Sequence, residues 1–86
     1  MKKYYEIENL EGTYESLEEA KEMLEKVLHD EANYNYSINK NNSYSLLEVN
    51  YNESTEEKEY YEILSNISVA EYKNMNLEEK NNYFQK

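Results

Sequence analysis

Polar and apolar positions alternate at the start of the chain. Tyr5 and Ile7 alternate with Tyr4, Glu6 and Glu8, so Lys3 to Leu10 reads as a half-buried strand. Glu11-Gly12 then marks a turn and carries the only glycine. Next the spacing becomes helical. Leu17, Ala20, Leu24, Val27 and Leu28 share one face, with Met23 and Ala32 near its edge. Ser16 precedes this run with Glu19 three residues on, the spacing of a capping box. A helix over Leu17 to Glu31 is the strongest element in the pattern.

Alternation returns at Tyr34, Tyr36 and Ile38, which predicts a second strand. The polar run Asn39-Lys40-Asn41-Asn42 interrupts it. Asn tolerates left-handed backbone, so a hairpin is expected there. Tyr44 to Tyr51 reads as a third strand, with Leu47, Val49 and Tyr51 on one face. Ser54 with Glu57 repeats the capping-box spacing and predicts a helix presenting Tyr60, Ile63, Leu64 and Ile67. Ser68 with Glu71, and Asn76 with Glu79, mark further helix starts. The last third is therefore expected as two or three short helices packed through Tyr72, Leu77, Tyr83 and Phe84. The alternative is one long bent helix from Glu56.

The order β-α-β-β-α(α) describes one α+β domain over residues 1–86, a small antiparallel sheet of about three strands with helices on one face. The other sheet face is expected to show Tyr4, Glu6 and Glu8 from the first strand, and Leu46, Glu48 and Asn50 from the third. No internal repeat is visible, and no linker divides the chain.

Composition narrows the function. With no Cys, disulfides, thiolate metal sites and cysteine nucleophiles are excluded. His29 is the only histidine and reads as a helix-end residue, so no zinc site is expected. No glycine-rich loop exists to cradle phosphate. Asn39, Asn41 and Ser43 alternate like the start of a calcium loop, but Tyr44 stands where its glycine is required and Asn50 where its glutamate is. The chain is expected not to be an enzyme and to need no cofactor or metal. Without a leader or an apolar span, it is expected in the cytoplasm of a bacterial host. Lys, Asn, Tyr, Ile and Glu have A/T-rich codons, which suggests a low-GC bacterium or its phage.

The charge is the main clue. Nineteen acidic residues face nine lysines, for a net charge of -10, and eleven residues are tyrosine. Such a field attracts basic surfaces and repels nucleic acid. Glu18, Glu22 and Glu25 form one stripe on the first helix, led by Glu15, with neighbours roughly 6 Å apart. Glu6 and Glu8 lie on one side of the first strand, roughly 6.6 Å apart. These spacings resemble those of backbone phosphates. A second acidic cluster, Glu53, Glu56, Glu57, Glu59 and Glu62, opens the expected second helix. Each run alone also suits a solvated helix or strand face. Tyr5, Tyr34, Tyr36, Tyr51 and Tyr60 follow apolar periodicities and are expected in the core. Tyr4, Tyr14, Tyr44 and Tyr61 do not, and join Glu48 and the acidic rows as candidate partner contacts.

In size, charge, tyrosine content, codon bias and α+β pattern, the chain resembles the small acidic phage-encoded inhibitors of bacterial defence nucleases, the anti-CRISPR proteins. The resemblance carries over no functional residue. It implies direct binding to a CRISPR effector, whose nucleic acid lies in positively charged channels. An acidic, tyrosine-bearing surface would plug such a channel by mimicking nucleic acid. A different class also fits: a small adaptor or regulatory module that binds a protein through a sheet edge or helix groove.

Overall fold

A computed structural model describes residues 2–85. Its elements are β1 (Lys2–Ile7), α1 (Leu17–Asn33), α2 (Tyr36–Asn39), β2 (Ser43–Asn52), β3 (Glu57–Ser68), α3 (Val69–Asn74) and α4 (Leu77–Phe84). The three strands form an antiparallel sheet in the order β1-β2-β3. The α+β class and the β-α-β-β-α-α order are as the pattern predicts, with the one-turn α2 following α1.

Helix α1 forms for the reasons visible in the sequence. Ser16 Oγ accepts the Glu19 amide at 3.1 Å and caps its first turn. Ala20, Leu24, Leu28 and Ala32 are buried along one face. They pack on Ile7, Tyr44, Leu46, Leu64 and Ile67 of the sheet, and Val69, Tyr72 and Tyr83 complete this core. Two capping boxes, Ser68 with Glu71 and Asn76 with Glu79, are formed in both directions and start α3 and α4 separately. The C-terminal part of the chain is thus two short helices rather than one bent one.

The segments behind two of the other elements differ from the pattern. Tyr34, Tyr36 and Ile38 are not a strand. Asn35 turns left-handed at φ 53°, and the chain then makes the single turn of α2. Only Tyr36 packs on the core, under Lys73 Nζ at 4.1 Å from its ring, while Tyr34 and Ile38 are exposed. The hairpin lies later, at Glu53 to Glu56, between β2 and β3. Asn52 shapes it: its carbonyl accepts the Glu56 amide at 2.7 Å and its side chain the Ser54 amide at 3.0 Å. Glu56 takes the left-handed conformation that closes the turn. Ser54 and Glu57 therefore flank a hairpin loop and do not open a helix.

The segment expected as that helix is β3, and its register explains the misleading spacing. Opposite Tyr44, Leu46 and Glu48, two residues apart on β2, stand Ile67, Leu64 and Tyr61, three residues apart on β3. Two bulges add one residue each to β3. A strand with bulges at this interval has the apolar spacing of a helix.

Candidate protein-docking surfaces

The two faces of the sheet carry different chemistry. Ile7, Leu46 and Leu64 form one row across the three strands and point toward α1. Beyond the helix, the same face continues as the rows Tyr5–Glu48–Tyr61 and Lys3–Asn50–Glu59. Glu48 is held there by Lys3 at 3.6 Å and by Asn50 at 3.3 Å. The Tyr61 hydroxyl donates to Glu59 at 2.6 Å, and that bond is the main reason its pKa is raised.

Among the described residues, the buried side chains of the helices pack with the Ile7–Leu46–Leu64 face and not with the opposite one. Three rows cross it: Lys2–Tyr51–Lys58, Tyr4–Val49–Tyr60 and Glu6–Leu47–Glu62. Val49 is fully buried yet lies outside the main core, with Tyr4 and Tyr60 on either side of it in its row. Lys58 is held charged above its usual range by hydrogen bonding and charge attraction to Tyr4, then by Tyr60 and Glu6.

The expected contact residues thus separate. Tyr4 and Glu6 stand on the uncovered face, as expected. Glu8 falls in the turn after β1, with its amide on the Ser45 carbonyl at 2.9 Å. Leu46, Glu48 and Asn50 lie on the helix side, and Leu46 is core; Leu47, Val49 and Tyr51 take the uncovered face instead. Both sets alternate and both contain apolar residues, so alternation alone does not say which face is buried. Tyr44 stands apart from both faces' surface rows. It is buried, and its hydroxyl donates to Glu31 of α1. Burial first, and that bond second, push its pKa well above the usual tyrosine value. Tyr60, expected in the core, is half exposed.

Glu15, Glu18, Glu22 and Glu25 are exposed along α1, on the other side of the molecule from Glu6. Tyr14 sits at the edge of that stripe. Its backbone pairs with Tyr5 through two 2.8 Å bonds along the outer edge of β1, and its ring borders a hollow with Glu19, Glu22, Met23 and Lys26. A second hollow lies between Glu22, Glu25, His29 and Tyr72. Burial, followed by the charge of Glu25, raises the Tyr72 pKa. The second acidic cluster is not on a helix: Glu53 and Glu56 are in the hairpin loop, while Glu57, Glu59 and Glu62 are on β3.

Leu47, Tyr51 and Tyr60 follow apolar periodicities in the sequence, yet with Lys58, which the pattern does not single out, they stand on the uncovered face. A signal for them exists. Lys2-Lys3-Tyr4-Tyr5-Glu6 and Lys58-Glu59-Tyr60-Tyr61-Glu62 are nearly the same five residues. Both strands run antiparallel to β2, so the repeated segment flanks it twice in the same direction.

Among the described residues, no group of three or more His, Asp or Glu side chains converges to hold a metal ion. No helix there is long and apolar enough to cross a membrane. Comparison with protein-family models, curated proteins and solved structures finds no match to this chain.

Proposed function

We propose that this chain is a stoichiometric protein inhibitor that docks on the nucleic-acid site of a bacterial defence nuclease of the CRISPR effector type. The observation that carries the reading is the exposed carboxylate stripe of Glu18, Glu22 and Glu25 on the longest helix, led by Glu15, in a chain of net charge -10. Glu18 to Glu25 spans about 10 Å of helix axis. The backbone that carries the carboxylates need not be ordered on binding, because α1 is already fixed to the sheet by its buried face. A groove lined with Lys and Arg to hold a nucleic-acid backbone would accept such a row, and Tyr14 adds an aromatic contact at its edge. The inhibitor would act in the cytoplasm of the bacterial host, without cofactor or catalysis.

A second reading draws on the uncovered sheet face. Tyr4, Leu47, Tyr51 and Tyr60, which are partly or half exposed, suit an adaptor that binds a protein through apolar contact. Salt separates the two readings. Tagged chain is used to capture CRISPR effectors from expressing cells, with low-salt and then high-salt washes. The inhibitor reading expects an effector that is lost at high salt and displaced by target DNA or RNA. A salt-resistant complex that target nucleic acid does not displace would overturn it in favour of the adaptor.

A further inference from the structure

The uncovered face is balanced in charge on a chain that is otherwise strongly acidic. Lys2 and Lys58 stand at one end of the three rows, Glu6 and Glu62 at the other, with Tyr4, Val49 and Tyr60 between. We propose that this face is a self-docking surface, on which a second copy of the chain packs sheet to sheet about a two-fold axis running along the Tyr4–Val49–Tyr60 row.

The axis follows from the order of the rows. A two-fold along the central row reverses the strands and leaves β1 over β1 and β3 over β3. Lys2 then faces Glu6 of the second copy, Lys58 faces Glu62, and Tyr4 and Tyr60, on either side of the buried Val49, meet their counterparts. The contact is isologous, so each favourable pair occurs twice. A two-fold along the strands would set lysine on lysine and glutamate on glutamate, which costs free energy. The near-repeat of β1 in β3 gives the face its two matching edges.

The rest of the molecule disfavours self-association, because like net charges repel. The repulsion is weakest on this face, where Lys2 and Lys58 offset Glu6 and Glu62, with Glu53 beside Lys2 at the rim. Both lysines have surface partners that the dimer would replace, and Lys58 is held by Tyr4. Lys2 meets Glu53 at 3.1 Å with both side chains more than half exposed, and such pairs contribute little. Helix α1 lies on the other side of the sheet, so its acidic stripe stays free in the dimer. The two proposals therefore stand or fall separately.

Three strands and five residues of strand length give a patch of about 14 by 17 Å. At about 240 Å² of sheet per copy, it is well below the roughly 800 Å² per partner of a standard interface, so the dimer is weak and concentration-dependent. Sedimentation equilibrium from about 10 μM to about 1 mM covers the range expected for such a contact. The wild-type chain is expected to move from its 10.4 kDa monomer toward twice that mass. Lys58→Glu and Glu62→Lys are each expected to weaken association about tenfold or more, by setting like charges opposite each other. An equimolar mixture of the two variants is expected to restore it, because each then meets its opposite. Far-UV circular dichroism checks that both variants are folded. A wild-type chain that is monomeric throughout would overturn the proposal. So would a dimer indifferent to both reversals, or a mixture that fails to recover.

Discussion

The hydroxyl of Tyr44, in the central strand, donates to the carboxylate of Glu31 near the end of α1. Asn42 Nδ2 reaches the other oxygen of the same carboxylate at 3.0 Å. One half-buried glutamate thus ties the helix to the start of β2. Tyr44→Phe keeps the ring packing and removes this bond. It is expected to cost about 1–2 kcal/mol, because the hydrogen bond reaches a charged group. Urea denaturation should show a lower midpoint at unchanged slope. An unchanged midpoint would mean that the bond contributes nothing net.

Alkali should unfold the chain by way of its tyrosines. Tyr83 donates its hydroxyl to the Ser65 carbonyl and holds α4 against β3. Burial, followed by the charges of Glu62 and Glu71, pushes its pKa from 10.0 up to about 12. Tyr44 and Tyr72 are raised too, both mainly by burial. A raised value means that the folded chain keeps its proton where the unfolded chain has lost it. Stability from this source is fully present below pH 10 and, for Tyr83, is lost as the pH rises from 10 to about 12. Thermal midpoints measured from pH 8 to 11 should hold steady and then fall, and Tyr83→Phe should flatten the fall. Equal slopes for the two chains would contradict this account of Tyr83.

Two serines share one sequence signature and do different work. Ser68 accepts the Glu71 amide at 3.1 Å, and Glu71 accepts the Ser68 amide at 3.1 Å, which starts α3. Ser54 stands in the hairpin loop, where its amide donates to Asn52. Ser68→Ala is therefore expected to cost about 1 kcal/mol. Ser54→Ala, which leaves that amide in place, is expected to stay within about 0.5 kcal/mol of the parent, as surface changes usually do. Equal losses at the two positions would argue for a helix start at Ser54.

This contrast also shows what the sequence could reveal. Helix α1 was legible because its apolar stripe runs for several turns behind a capping serine, and the α3 and α4 caps were legible for the same reason. β3 was not, because its bulges set Leu64 and Ile67 three residues apart, and with Tyr60 and Ile63 that spacing imitates the face of a helix. Tyr34 to Ile38 misled in the opposite sense, since the left-handed Asn35 breaks an alternation that reads as a strand. On β2, the adjacent Leu46 and Leu47 leave two alternating apolar sets. Only the strand register shows that Leu46 meets α1 and Leu47 does not. Of the candidate site, the α1 stripe was readable from spacing alone. The uncovered face is only partly readable, because the spacing around Tyr60 and Glu62 reads as a helix.

The central claim rests on the α1 carboxylates, and charge reversal there tests it most directly. The dissociation constant for a purified, guide-loaded CRISPR effector would be measured by titration calorimetry for the parent chain and for a variant combining Glu18→Lys, Glu22→Lys and Glu25→Lys. Lys58→Glu serves as a charge-changing control on the other face, and circular dichroism confirms the fold of each. The account predicts salt-sensitive binding by the parent chain, a loss of about a hundredfold or more in the triple variant, and a much smaller change in the control. Binding that survives the triple reversal, or no binding across a panel of effectors, would contradict it.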